Sequence, residues 1–323
     1  MPKISVVIPS YNGEAFIGKA IRSVLNQTFQ DFEVLVVDDC STDGTRDEVR
    51  RLQKKDARIN LIGLNKNTGG PASPRTLGCK AARGELIAFI DQDDIFYPHY
   101  LEAKFDFFRN HPNINFLASW AWTFDPDSKK IINCEYGGPV NTMIRAEILK
   151  TINYFDPRET GVDDSGMWYR YLVHYGSRAS AYVELAPLTL YARYAGQGSD
   201  VESKDFKELA EKLKMIIGAY YGEGNGEVFA FVSSLKSRIG NFLCLSGDVK
   251  QGKGYFRESL RLRFTFFAFG LLLMSTFAPR HYRRTEALLR KFQRSVVWRA
   301  NVFIKWLKYR KSYTEARAIL SQY

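Results

Sequence analysis

Hydrophobic residues along the first ninety positions come in two textures, short unbroken apolar runs and longer stretches with apolar positions three or four apart. Ile4 to Ile8 is one such run, ended by Pro9. Behind it Phe16, Ile17, Ala20, Ile21, Val24 and Leu25 recur at helical spacing, so the segment predicts a strand followed by a helix. Phe32 to Val37 predicts a second buried strand. Ser41 or Thr42 can cap a helix running through Val49 and Leu52, and Ile59 to Leu64 predicts a third strand. A helix across Arg75 to Ala82 then leads into a fourth strand, Leu86 to Ile90. Strands without polar alternation, interleaved with helices, predict an α/β fold with a parallel sheet covered on both faces.

From Tyr97 to about Gly198 the pattern changes to a Phe-rich helix (Phe105, Phe107, Phe108), a strand Ile114 to Trp120, irregular Gly and Pro segments, and a helix starting near Asp163. Residues 97–200 are expected to complete the domain begun by residues 1–96. Residues 201–323 read as a mainly helical C-terminal module, broken at Gly222 to Gly226 and Gly247 to Gly254.

In parallel α/β sheets ligands collect outside the carboxyl ends of the strands, and both acidic clusters of the chain fall there. Asp38-Asp39 ends the second strand and Asp91-Gln92-Asp93-Asp94 follows the fourth. Carboxylates packed so closely repel one another, and hard oxygen ligands suit Mg²⁺ or Mn²⁺ held over the phosphates of a substrate. Taken alone, such a cluster is also compatible with a solvated acidic turn. An acid at the end of the second strand can accept from the N–H of a nucleobase, whereas Asp43 is expected to cap the next helix. Pro9-Ser10-Tyr11-Asn12-Gly13 brings backbone and a tyrosine ring to the same edge, and by itself reads equally as a strand-to-helix turn.

Charge alters the picture toward the C-terminal end. Of the net +11, residues 250–323 hold 17 of the 46 Lys and Arg but three of the 35 acids, namely Glu258, Glu286 and Glu315. Such a block implies an anionic partner, membrane surface or nucleic acid. Phe264 to Ala278 is apolar for about fifteen residues, short of the roughly 20 that span a bilayer. Beyond it Phe292, Val296, Ala300, Phe303, Trp306 and Leu307 fall mainly on one helical face. Arg290, Lys291, Arg294, Lys305 and Lys308 crowd the other, as in an interface-lying helix or a basic solvated one. Cys40, Cys79, Cys134 and Cys244 show no C-x-x-C spacing, which argues against a zinc site and fits a reducing compartment. His99, His111, His174 and His281 form no spaced set. With Ile4 starting the first strand, no leader is expected before the fold, and the expected address is cytoplasmic, with peripheral contact at the inner face of the membrane.

The motifs in order resemble the family 2 glycosyltransferases. They are Pro9-Ser-Tyr-Asn-Gly, Val36-Val-Asp-Asp-Cys-Ser-Thr-Asp-Gly-Thr, Asn67-Thr-Gly-Gly with Arg75, and Gly84-Glu-Leu-Ile-Ala-Phe-Ile-Asp-Gln-Asp-Asp. The resemblance covers roughly residues 3–200. It implies a GT-A domain, Rossmann-like and built to bind a nucleotide-diphospho-sugar, over residues 1–200, followed by the helical basic module 201–323. The implied activity is inverting, metal-dependent transfer of a single sugar from a nucleoside diphosphate sugar to an acceptor hydroxyl in cell-envelope or surface polysaccharide or glycolipid synthesis. Uridine is the base this family most often uses, and the acceptor would be a glycan or a lipid-linked one.

Carried over by position, the resemblance implies that Pro9, Tyr11 and Asp39 frame the base and that Arg75 lies near the nucleotide. It also implies that Asp91 and Asp93 hold the ribose and a Mn²⁺ or Mg²⁺ ion, with Asp94 supporting them from behind or serving as an alternative ligand. The catalytic base would be Asp164, within the pair Asp163-Asp164. Read without the resemblance, that pair is an ordinary cap of the helix carrying Met167, Trp168, Tyr171 and Leu172.

The chain departs from the family pattern in places. Tyr191-Ala192-Arg193-Tyr194 lacks the histidine often found near the metal, although Arg193 can offer positive charge to a phosphate. Arg75-Thr76 replaces the usual Arg-Asn, with Pro71 and Pro74 before it. The Gln-x-x-Arg-Trp motif of processive synthases is missing, which favours a single transfer over polymerisation. Two other classes stay in view: a nucleic-acid-binding protein using the basic tail beside a degenerate sugar-nucleotide domain, and a nucleotidyltransferase, which usually needs a Gly-rich basic loop that Pro9 to Gly13 does not supply.

Overall fold

A computed structural model describes residues 1–136, 138–176, 180–182, 187–192, 206–220, 226–262, 271–272, 275–276, 282 and 309–322. The chain forms two compact units, interleaved along the sequence. One comprises residues 1–160, 178–194 and 300–323, and the other residues 161–177 and 195–299.

The first unit opens with the alternation the apolar pattern predicts: β1 (Ile4–Ser10), α1 (Ile17–Leu25), β2 (Phe32–Asp38), α2 (Thr45–Gln53), β3 (Ile59–Gly63), α3 (Ala72–Ala81) and β4 (Leu86–Phe89). It continues with β5 (Ile95–Phe96), α4 (Tyr100–Asn110), β6 (Phe116–Ala118), β7 (Trp120–Asp125), β8 (Lys130–Tyr136), β9 (Thr142–Arg145) and α5 (Ala146–Thr151). After α6 (Asp163–Tyr175), which belongs to the second unit, come β10 (Ser180–Tyr182) and β11 (Thr189–Ala192). The remaining described helices are α7 (Phe206–Tyr220), α8 (Gly226–Ser246), α9 (Val249–Leu262) and α10 (Arg310–Gln322).

Seven strands make one sheet in the order β10-β6-β9-β4-β1-β2-β3, with β1 parallel to β2 and β4, and β2 parallel to β3. β9 runs antiparallel to β4 and β6. Every residue of β1, β2 and β4 is buried, as continuous apolar runs require when helices cover both faces. On one face Ile4, Val6, Ile8, Val34 and Val36 pack with Ile17, Ile21 and Val24 of α1 and Val49 and Leu52 of α2. On the other lies α3, held close because position 78 is glycine: a Cβ there would sit 2.5 Å from Val7 Cγ1. Since β2 and β3 lie to one side of β1 and β4 to the other, the strand order switches sides between β1 and β4 although the two run parallel. That crevice is where ligands bind in such sheets.

A second sheet, β5-β11-β7-β8, is capped by α10. Tyr309, immediately before that helix, and Ala316 and Leu320 within it cluster with Ile95, Tyr97, Trp122, Phe124 and Leu190. Ser312 serves as an anchor: its carbonyl accepts from Tyr97 Oη at 3.0 Å, its hydroxyl accepts from Trp122 Nε1 at 3.1 Å, and it donates to the Pro187 carbonyl. Buried tyrosine and tryptophan need such partners for their polar ends.

The second unit is helical, with Val162, Tyr169 and Leu172 of the α6 region packed against Leu213 and Ile216 of α7 and Leu235 and Ile239 of α8. The expected linear border at residue 200 therefore differs from the observed units. The first turn of α6 with its acid pair groups with the helices of 201–299, and residues 310–322 of the expected C-terminal module belong with the sheets. The cause is the same in both cases, an apolar helix face that reaches its partner irrespective of chain order. Residues 193–200, including Arg193, and most of 263–308, with most of the apolar stretch Phe264 to Ala278 and the basic amphipathic stretch beyond it, lie outside the described residues. Among the described residues, no helix is long and apolar enough to cross a membrane.

Candidate functional site

The loop after β1 is tied down from two sides. On the β2 side, Asn12 N–H donates to Ser41 Oγ at 2.9 Å and Asn12 Oδ1 accepts from Thr42 N–H at 2.9 Å. Gly13 N–H donates to Thr45 Oγ1 at 2.8 Å, and Glu14 exchanges bonds with Asp43 and with the Gly44 amide. Asn12 and Cys40 both take left-handed backbone, at φ 47° and 64°, which turns each loop back over its strand end. The polar residues of the two motifs thus bind each other. The α2 N-cap is Gly44, without a side-chain cap bond. Asp43 instead holds the Thr45 amide from one residue earlier. Burial pushes the Asp43 carboxyl up, but the bonds it receives from Thr45 and Glu14 outweigh this and leave it below the usual carboxylate range.

On the β4 side the tie is a residue that the motif reading passed over. Gln92, between the two aspartates, accepts from Tyr11 N–H at 2.9 Å and Ser10 Oγ at 3.0 Å through Oε1, and donates from Nε2 to the Tyr11 carbonyl at 3.0 Å. The Tyr11 side chain is left out of these bonds, and the residue is 45% exposed. Pro9 is buried within β1, in register with Val37.

The two acids ending β2 have separate jobs. Asp38 is fully buried and bound to Ser41 and to the Arg46 guanidinium, so it fixes the loop. Asp39, 2% exposed, accepts from the Thr68 amide at 2.9 Å and the Thr68 hydroxyl at 3.1 Å, while Asn67 Nδ2 donates to its carbonyl at 3.2 Å. The Asn67-Thr-Gly-Gly loop is therefore hung on Asp39.

Behind β4, Asp91, Gln92 and Asp93 are partly exposed, and the Asp94 amide closes a turn on the Asp91 carbonyl at 3.1 Å. Arg75, on α3, reaches Asp91 Oδ1 at 2.7 Å and lies over the Phe155 ring. Asp94 differs from its neighbours. It is 1% exposed and accepts from the Ala192 amide at 2.9 Å, so it fastens β11 beside the acidic turn. The structure thus gathers Tyr11, Arg75, Asp91 and Asp93 at the crevice between β1 and β4, with Asp39 at the neighbouring strand end. Among the described residues, no three His, Cys, Asp or Glu side chains converge as a closed metal cage.

In the second unit, Asp163 and Asp164 form the first turn of α6, whose N-cap Val162 has no side-chain cap bond. Asp163 is buried, whereas Asp164 is partly exposed and accepts from the Ser165 amide at 2.7 Å. Arg238 of α8 donates to Ser165 Oγ at 2.7 Å. Spacing alone carried no signal for Gln92, Thr68 or Arg238; each acts on a partner far away in sequence.

Comparison with known proteins places this geometry. The model of "Glycosyl transferase family 2" matches residues 5–167. The chain is 41% identical over 106 residues, 33% of its own length and 42% of the relative's, to the putative teichuronic acid biosynthesis glycosyltransferase TuaG of Bacillus subtilis. It spans less than half the length of the curated relatives it matches. In fold it is similar to residues 1–349 of TarS of S. aureus, solved with UDP-GlcNAc, at a TM-score of 0.63 and 19% identity over 90% of this chain and 92% of that one. It is also similar to the mannosyltransferase PcManGT of Pyrobaculum calidifontis, solved with GDP-Man and Mn²⁺, at a TM-score of 0.57 and 15% identity over 95% and 87%. The parallel-rich sheet is thus that of the GT-A fold, with helical structure in the C-terminal part.

Proposed function

The chain belongs to glycosyl transferase family 2, and on that premise we propose that it is an inverting, metal-dependent glycosyltransferase. It moves one sugar from a nucleoside diphosphate sugar, UDP above all, to an acceptor hydroxyl of a cell-envelope glycan or glycolipid. The observation that carries this reading is the gathering of Tyr11, the Arg75–Asp91 pair and Asp93 where β1 and β4 diverge. The UDP-GlcNAc of TarS and the teichuronic acid role in TuaG's name support the donor and the setting.

In this reading the exposed Tyr11 ring stacks on the base, with Pro9 and Asp39 framing it. The Asp39 carboxylate, already accepting from Thr68, has capacity for one more donor from the base edge. Arg75 sits beside the nucleotide and orients Asp91 through their ion pair.

Asp91 and Asp93 fit a divalent cation: they are hard oxygen donors, partly exposed, and two carboxylates are what Mg²⁺ takes alongside substrate phosphates. Asp91 and Asp93 would hold Mn²⁺ or Mg²⁺, which when bound would neutralise the charge that develops on the departing diphosphate. Mn²⁺ in PcManGT supports that assignment. Asp164, partly exposed at the start of α6, accepts the proton of the acceptor hydroxyl as it attacks the anomeric carbon. Attack from the face opposite the leaving group inverts the configuration. The positive charge of residues 250–323 supports peripheral contact with anionic membrane at the cytoplasmic face, where lipid-linked acceptors are met.

A thermal-shift screen of UDP, GDP, dTDP and CDP sugars with and without Mn²⁺ tests the reading, because a ligand that binds the native state raises its melting point. A shift with a uridine donor that grows with Mn²⁺ is expected. No shift with any donor overturns it.

A further inference from the structure

The carboxamide of Gln92 treats the Tyr11 peptide as a neighbouring strand would. It accepts from the Tyr11 N–H at 2.9 Å and donates to the Tyr11 C=O, on the next peptide unit, at 3.0 Å, while Ser10 Oγ adds a second bond to Oε1 at 3.0 Å. A side chain serving both ends of one residue must carry a donor and an acceptor side by side. Glutamine does and ionised glutamate does not. The reversed amide would set donor against donor at the Tyr11 N–H and acceptor against acceptor at its C=O, so the bonds fix the orientation.

Gly13 bears independently on the same contact. A Cβ at position 13 would lie 2.2 Å from Gln92 Oε1 and 2.6 Å from its Cδ, with no other atom as close. The loop therefore leaves its side-chain space at 13 to the Gln92 amide. The contact also spans the crevice where the strand order switches sides, joining the end of β1 to the turn after β4.

We propose that Gln92 is a positioning residue: its amide clamps the Tyr11 peptide and so fixes the Tyr11 ring for stacking against the nucleobase, in register with Asp91 and Asp93 on either side of it. The inference rests on the reading above that Tyr11 faces the base. The same three-residue turn that offers carboxylates to the diphosphate end of a donor thereby also sets the platform for its base end, so a change at Gln92 acts on nucleoside affinity even when no cation is present.

The test is UDP affinity measured by calorimetry in EDTA, which removes any cation from Asp91 and Asp93. Wild type is compared with Gln92→Met, Gln92→Glu, Gly13→Ala, Tyr11→Ala and the Tyr11→Ala/Gln92→Met double variant. Gln92→Met removes all three bonds, Gln92→Glu removes the one donated to the Tyr11 carbonyl and sets oxygen against oxygen there, and Gly13→Ala displaces the amide; each is expected to weaken UDP about tenfold while the protein stays folded at the assay temperature. Because the clamp acts through the ring, Gln92→Met is expected to cost less than about twofold once Tyr11 is alanine, a non-additivity that a merely structural role would not produce.

Wild-type affinity in Gln92→Met, or a full tenfold loss repeated in the Tyr11→Ala background, overturns the proposal. Hydrogen exchange at the Tyr11 amide reads the clamp without any ligand. It should quicken by about an order of magnitude in Gln92→Met and Gly13→Ala, and an unchanged rate overturns the clamp. If the wild-type protein binds neither UDP nor another nucleoside diphosphate, the donor reading fails instead, and the exchange rate still decides whether the clamp exists.

Discussion

Arg75 Nη2 and Asp91 Oδ1 lie 2.7 Å apart, the guanidinium nearly buried on α3 and the carboxylate partly open to solvent. A helix behind the sheet thus steers a carboxylate at the sheet's edge through one of its oxygens. Asp91→Asn keeps the shape but leaves Arg75 facing a neutral acceptor. It is expected to abolish sugar transfer while costing about 1–3 kcal/mol of stability, read from denaturant unfolding. An active Asp91→Asn protein would contradict the role given to this carboxylate.

The cation assignment is checked by linkage. With UDP at a hundred times its dissociation constant, binding should add about 2.7 kcal/mol to stability. Most of that increment should vanish in EDTA and return on adding Mn²⁺. Asp93→Asn should remove the Mn²⁺-dependent part and spare the remainder. Full turnover in EDTA would count against the assignment.

For Asp164 the conservative variant separates chemistry from folding. Asparagine can still accept from the Ser165 amide as the aspartate does at 2.7 Å, so Asp164→Asn should melt where wild type does. Its kcat should fall by about 10² to 10⁴, the usual contribution of a general base. UDP affinity should not change.

Lys104 provides a prediction about pH. Its ammonium is fully buried on α4, where it donates to the Asn141 carbonyl and lies 4.6 Å from the centre of the Tyr100 ring. Burial holds its pKa well below that of an ordinary lysine. Between the lowered folded value and the normal unfolded one, the unfolded chain binds more protons, so stability due to this residue rises with pH across that window and is flat below it. The Asn141 carbonyl keeps the Ser119 amide, at 3.0 Å, as a donor when Lys104 is gone. Lys104→Met should therefore raise the melting point at pH 7 and gain less as pH approaches 10, which a pH series of thermal melts would show.

Ser312→Ala should cost about 1–3 kcal/mol, because the hydroxyl that accepts from Trp122 Nε1 and donates to the Pro187 carbonyl is lost from a buried site. UDP affinity should stay as it was. A wild-type melting point would mean that the Ser312 hydroxyl adds nothing to the hold on α10.

The carboxyl edge of the sheet was legible because its signals are local. Unbroken runs such as Ile4 to Ile8 and Leu86 to Ile90 can lie only in a doubly covered sheet, and the acids that follow them must then emerge at its carboxyl end. What each acid does there depends on partners that periodicity does not announce. Asp38 and Asp39 are adjacent, yet one is taken by Arg46 and the other by Thr68. Asp94 looked like its neighbours until the Ala192 amide, 98 positions on, claimed it. Unit membership was illegible for a related reason: the apolar set Tyr309, Ala316 and Leu320 states that it needs a cover, but not which sheet supplies it.

Because the sheet-bearing unit draws on residues 1–160, 178–194 and 300–323, its last piece leaves the ribosome long after its first. At about 5–20 residues per second, the β5-β11-β7-β8 sheet waits many seconds for α10 with the Trp122 and Tyr97 surface bare. The larger part of the helical unit, residues 195–299, emerges within that interval. Nascent chains stalled before residue 309 should accordingly be caught by hydrophobic-sensing chaperones, and release from them should follow the emergence of α10.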